Sequence, residues 1–144
     1  NIKSLNEFKE SFRKSLDFPG FIGDEEVIKF LNNNVDILIN NQPEIVARDL
    51  TQFIESYFVK DNMINLLGGG RMYFVLWQRF GKKEEDFKRA EEYYLKAYAI
   101  GPKLPPVLYG LLDLYKQKGD KENFGKIAQI ILLYWQQKFP IMIL

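Results

Sequence analysis

The sequence predicts an all-α fold of about seven helices, ending in two stacked helical hairpins. Three observations lead there. Apolar residues recur at spacings of three and four along most of the chain, the periodicity of helices with one buried face. Pro and Gly clusters punctuate those stretches, most visibly at DFPGF (Asp17–Phe21) and at Gly68-Gly69-Gly70. Finally, EEDFKRAEEYYLKAYAIGP (Glu84–Pro102) is echoed by KGDKENFGKIAQIILLYWQ (Lys118–Gln136), with Asp86 and Asp120 34 residues apart. A period of that length is the mark of helix-turn-helix units stacked on one another.

The elements follow in order. Ile2, Leu5, Phe8, Phe12 and Leu16 form one stripe on a first helix, which DFPGF and Gly23 end. Asp24 is a suitable N-cap for a second helix carrying Val27, Ile28, Leu31, Val35, Leu38 and Ile39, with Glu25 and Glu26 favoured by the dipole in its first turn. Pro43 fits the first turn of a third helix, with Ile45, Val46, Leu50, Phe53, Ile54 and Tyr57 on its buried side. The triple glycine reads as the clearest break, a flexible joint between an irregular helical part (residues 1–67) and two hairpins (residues 68–144) of one domain. No G-K-[ST] follows it, so it lacks the mark of a phosphate-binding loop. Four helices are expected beyond it, over about residues 71–81, 85–100, 105–118 and 120–138. Gly119 should end the third of these and Asp120 cap the fourth.

Composition narrows the chemistry. At 144 residues, with 47% hydrophobic and 15% aromatic side chains, the chain can bury a core as one domain. It contains no Cys and no His, which removes disulfides, thiolate nucleophiles, zinc knuckles and the commonest general base. The carboxylates, lysines and tyrosines that remain form no recognisable catalytic or metal-binding constellation, so no enzyme activity and no cofactor are expected. The net charge of +1 gives no pull toward nucleic acid. Residues 1–70 hold 7 Lys/Arg against 11 Asp/Glu, whereas residues 71–144 hold 13 against 8, so an acidic partner should dock on the second half. No apolar stretch approaches the roughly 18–20 residues that span a bilayer.

At an offset of 34 residues Phe74 aligns with Leu108, Trp77 with Leu111, Ala90 with Phe124, Tyr94 with Ala128 and Ala97 with Ile131. Phe74, Trp77, Ala90, Ala97 and Pro102 in the first copy, with Leu108, Leu111 and the LYKQKGD turn (Leu114–Asp120) in the second, resemble the tetratricopeptide repeat family. That resemblance implies a right-handed α-superhelix and a role in binding proteins or peptides. Carried over by register, the concave face comprises Val75, Arg79, Lys82 and Lys83, then Tyr109, Asp113, Lys116 and Gln117, a partly basic groove for an acidic peptide or a glycan. The second copy departs from the pattern at Phe124 and Gln136, and the first at Gly81 and Glu85. The lysine and asparagine positions of a carboxylate clamp are not reproduced.

A wider likeness runs through FKESFRKSL (Phe8–Leu16), FPGFIGDEEVIKFLNNN (Phe18–Asn34), a Pro-started helix and AEEYYLKAYAIGPKLPPVLYGLLDLYKQKGD (Ala90–Asp120). This order is similar to the soluble C-terminal repeat region of bacterial O-antigen ligase/polymerase-like membrane proteins. It implies a non-catalytic accessory region on the extracytoplasmic side of the cell envelope, with the glycan chemistry in a membrane part of the same parent. The first residue, Asn1, agrees with an excised piece. A stand-alone cytoplasmic adaptor for an acidic peptide is the alternative. Tyr93, Tyr94, Tyr98 and Trp77 could stack sugar rings, but their helical spacing favours core packing. Glu84, Glu85 and Asp86 are read as charge at a helix start. The apolar run Ile130–Leu144 needs a cover, either a following repeat or another molecule.

Overall fold

A computed structural model describes residues 2–17, 33–34, 39–58 and 61–138. Among the described residues the fold is all-helical, with six long helices and no strand: α1 (Ile2–Asp17), α2 (Glu44–Glu55), α3 (Met63–Arg79), α4 (Glu84–Ile100), α5 (Pro105–Lys118) and α6 (Lys121–Lys138). The helix expected to start at Asp24 lies almost wholly outside the described residues; Ile39 at its far end is fully buried. Each described helix packs on the next, and α3 also touches α5.

Two hydrophobic clusters hold these helices. Leu5 and Phe8 of α1 lean on the first, which joins Ile39 to Ala47, Leu50, Phe53 and Ile54 of α2 and to Met72 and Leu76 of α3. The second gathers Leu66 and Trp77 of α3 with Phe87, Ala90, Tyr94 and Ala97 of α4, five residues of α5, and Ile127. Thus α3 serves both clusters, with Met72 and Leu76 turned one way and Leu66 and Trp77 the other. In α2 one expected core position is corrected. Ile45 is 83% exposed; it lies next to Glu44 in the first turn, away from the Ala47–Leu50–Ile54 stripe that meets α3.

The largest correction is at the triple glycine. Gly68, Gly69 and Gly70 are buried inside α3, which starts at Met63 and not near residue 71. The expected joint is a continuous helix, and the boundary drawn between residues 67 and 68 falls within it. Asn62 starts it: its side chain accepts the Asn65 backbone N–H at 2.9 Å. Each glycine costs a helix about 1 kcal/mol relative to alanine. Here the missing side chains make room for aromatic rings of α4. A Cβ at Gly69 would stand 2.6 Å from the Tyr93 ring, and one at Gly70 2.8 Å from Tyr94. Ring burial against bare backbone offsets the helix penalty.

Of the later turns, the one at Gly119 and Asp120 has the expected chemistry. Gly81 (φ 81°) and Lys82 (φ 48°) are left-handed residues between α3 and α4, and the Lys82 N–H closes back on the Trp77 carbonyl at 3.1 Å. Gly119 (φ 79°) ends α5. Asp120 then caps α6, accepting from the Asn123 backbone N–H at 3.1 Å and from its Nδ2 at 2.8 Å.

Candidate interaction surface

The residues expected on a concave face divide into two groups. In α3, Val75 packs against the first hydrophobic cluster. One turn on, Arg79 donates through Nη1 to the carbonyls of Ile39 at 2.8 Å and Gln42 at 2.9 Å, its guanidinium lying 4.6 Å from the Phe80 ring centre. Lys83 pairs with Glu44 at 3.1 Å. Arg48 is the stronger cause, and Lys83 the second, of the Glu44 carboxyl being held below its usual range. Residues 39–44 therefore engage Arg79 and Lys83. Lys82 sits over the Trp77 ring, 5.3 Å from its centre.

The α5 group is different. Tyr109 is 51% exposed, and Asp113, Lys116 and Gln117 are exposed along the same side of the helix. Positions 109, 113 and 116 follow the i, i+4, i+7 spacing of one face, while Val107, Leu108, Leu111, Leu114 and Tyr115 are buried on the other. Lys82 and Lys116 are both exposed near the hairpin turns, so of the six charged or aromatic positions expected to line one groove, Arg79 and Lys83 stand apart by being tied to α2 and the residues before it.

The residues expected to occupy repeat positions sit mostly in the second cluster. Phe74 stacks on Trp77 with ring centres 6.0 Å apart, and Trp77 meets Phe87 at 5.7 Å. Ala90, Ala97 and Leu111 are fully buried, Tyr94 and Leu108 nearly so; Pro102 is exposed in the α4–α5 connection. The aromatic residues considered for sugar stacking are packed within the protein. Trp77 and Tyr94 are in the core, Tyr98 is packed against it, and Tyr93 stacks on Tyr73 at 6.0 Å. Arg89 lies over both of those rings, while Glu55 accepts from the Tyr73 hydroxyl and from Arg89.

The acidic run at the start of α4 turns out to be structural in a way the sequence did not signal. Asp86 is 3% exposed and takes a two-pronged bond from Arg48 of α2, at 3.0 and 2.8 Å. Glu84 pairs with Lys118 at the end of α5. Nothing in the α2 sequence marks Arg48 as a partner for a residue 38 positions away.

A feature absent from the sequence reading is an open recess of about 200 Å³ at the α5–α6 turn, lined by Tyr115, Lys116, Gly119, Asp120, Lys121 and Phe124. The Tyr115 hydroxyl donates to Glu91 at 2.7 Å, and burial first, then Glu91, pushes its pKa upward. The Asp120 carboxyl is held low by its bonds from Asn123. The available signal was the Tyr-x-x-x-Gly-Asp turn with Phe124 one helical turn beyond. Elsewhere, no group of three acidic side chains among the described residues could hold a metal ion. No helix among them is long and apolar enough to cross a membrane.

Protein-family models, curated proteins and solved structures offer no match to this chain.

Proposed function

We propose that this chain is a non-catalytic interaction scaffold, built of tetratricopeptide-type hairpins wound into a right-handed superhelix, which binds an extended segment of a partner protein along α5. The observation that supports it is the exposed face Tyr109–Asp113–Lys116, left uncovered while Arg79 and Lys83 are held by residues 39–44. Tyrosine supplies a large contact with few rotors to freeze, and the flanking charges give direction and register. Contact between α3 and α5 is what a superhelix of such hairpins requires.

Within this reading, the chain is the accessory region of a bacterial O-antigen ligase/polymerase-like envelope protein. The test of binding is selection of a random-peptide display library on the immobilised chain. Selected peptides should lose about tenfold in affinity on Tyr109→Ala or Lys116→Glu, the loss usual for an interface anchor. Peptides that bind both variants as well as the parent chain would dismiss α5 as the binding face. The envelope assignment is checked by the reading frame upstream of Asn1: a run of membrane spans supports it, and a short soluble frame sinks it.

A further inference from the structure

We infer that the recess at the α5–α6 turn seats one apolar side chain of an acidic partner segment. This rests on α5 being the partner-binding face and adds the chemistry of what lies at its end. Lys116 belongs both to the exposed stripe and to the rim of the recess, so a segment lying along Tyr109, Asp113 and Lys116 runs directly into it.

The walls are apolar. Tyr115 is 4% exposed and is fixed by its bond to Glu91, and Phe124 packs against the same core. The recess is open to solvent. Its volume of about 200 Å³ exceeds the roughly 150 Å³ of an apolar cavity that admits a benzene-sized guest. The recess therefore has room for one leucine or phenylalanine side chain.

Charge at the rim selects what flanks that side chain. Lys118 and Lys126 are paired with Glu84 and Glu122, whereas Lys116 and Lys121 have no ion-pair partner among the described residues. The one carboxylate at the rim, Asp120, has both oxygens engaged by Asn123. Two uncommitted ammonium groups thus face outward beside an apolar seat, an arrangement complementary to carboxylates on either side of a hydrophobic anchor.

The test is a nuclear magnetic resonance titration of the isotope-labelled full chain with the peptide acetyl-Glu-Glu-Leu-Glu-Glu-amide. Saturable shifts should appear at the amides of Gly119, Lys121 and Phe124. Replacing the peptide leucine by glycine should weaken binding about tenfold or more, as expected for losing one buried aliphatic anchor. Combining Lys116→Glu with Lys121→Glu on the exposed surface should weaken it by a similar factor, in a salt-dependent way. Absence of saturable shifts at these amides overturns the inference, as does equal binding of the glycine peptide or of a lysine-flanked leucine peptide. In each of those cases display-selected peptides that still depend on Tyr109 leave the α5 reading intact; insensitivity to Tyr109→Ala overturns that reading itself.

Discussion

Tyr94 is gripped along both edges of its ring, and alanine at Gly110 tests that grip. A Cβ at Gly110 of α5 would lie 2.4 Å from Cε1 of Tyr94, and one at Gly70 of α3 would lie 2.8 Å from Cε2 on the opposite edge. The ring is 4% exposed and cannot slide away from one helix without approaching the other. Glycine to alanine within a helix ordinarily gains about 1 kcal/mol. Overpacking a core costs about 1–3 kcal/mol, and a ring blocked on both sides belongs at the upper end. Gly110→Ala should therefore destabilise the chain by about 2 kcal/mol net. Gly125→Ala is the control, since nothing lies within 4 Å of its added Cβ, and it should stabilise by about 1 kcal/mol. With Tyr94→Ala, which alone costs about 3–5 kcal/mol, the clash disappears and Gly110→Ala should become stabilising by about 1 kcal/mol. Urea unfolding followed by circular dichroism gives all four numbers, and the cycle should return a coupling of about 3 kcal/mol. A stabilising Gly110→Ala in the Tyr94 chain would refute the grip.

Three other outcomes follow from the contacts. Arg48→Met leaves the Asp86 carboxylate buried without its counter-charge and should destabilise by about 3 kcal/mol in urea unfolding, with a second change, Asp86→Leu, recovering much of the loss. Burial is the main cause pushing the Tyr73 phenol from 10 up to about 12. Because the folded value is the raised one, Tyr73 contributes stability that is complete below pH 10 and lost as pH rises through about 12. Ultraviolet titration of the folded chain should therefore show a late-ionising tyrosine that Tyr73→Phe removes; an unchanged titration curve contradicts the buried stack. Arg79→Glu should speed amide exchange at residues 39–44 and leave peptide binding on α5 unaltered, whereas lost binding with unchanged exchange would return Arg79 to the partner's side.

Much of the second half was legible because its signals are local. The Gly119–Asp120 stop and start and the helical periods of α4 and α5 depend only on local spacing and on turn chemistry. What was misread depends on distant partners. Glycine weighs against a helix in isolation, and only the Tyr93 and Tyr94 rings, brought over it by α4, reverse that at Gly68–Gly70. Register also overstated the equivalence of the two aspartates 34 residues apart. Asp120 caps α6, whereas Asp86 lies inside the first turn of α4 and is committed to Arg48. Likewise Arg79 and Lys83, expected on a concave face, bond to residues 39–44, which no local pattern announces.

The grip on Tyr94 also bears on binding. Tyr109, the proposed anchor of the exposed stripe, adjoins Gly110, the residue whose bare backbone lets α5 lie against that ring. The back of α5 is fixed by five buried side chains, so on the proposed reading the helix itself would need no ordering on contact. Forcing α5 away from Tyr94 should then weaken peptide binding as well as folding, even though alanine at Gly110 removes nothing a partner would touch. Peptide affinity measured on Gly110→Ala, at a temperature where the variant is fully folded, should fall several-fold and recover when Tyr94→Ala relieves the contact. Affinity that stays constant while stability falls would separate the two properties. The binding face would then owe its position to α6 and the turn at Gly119, not to the glycine-lined contact with α4.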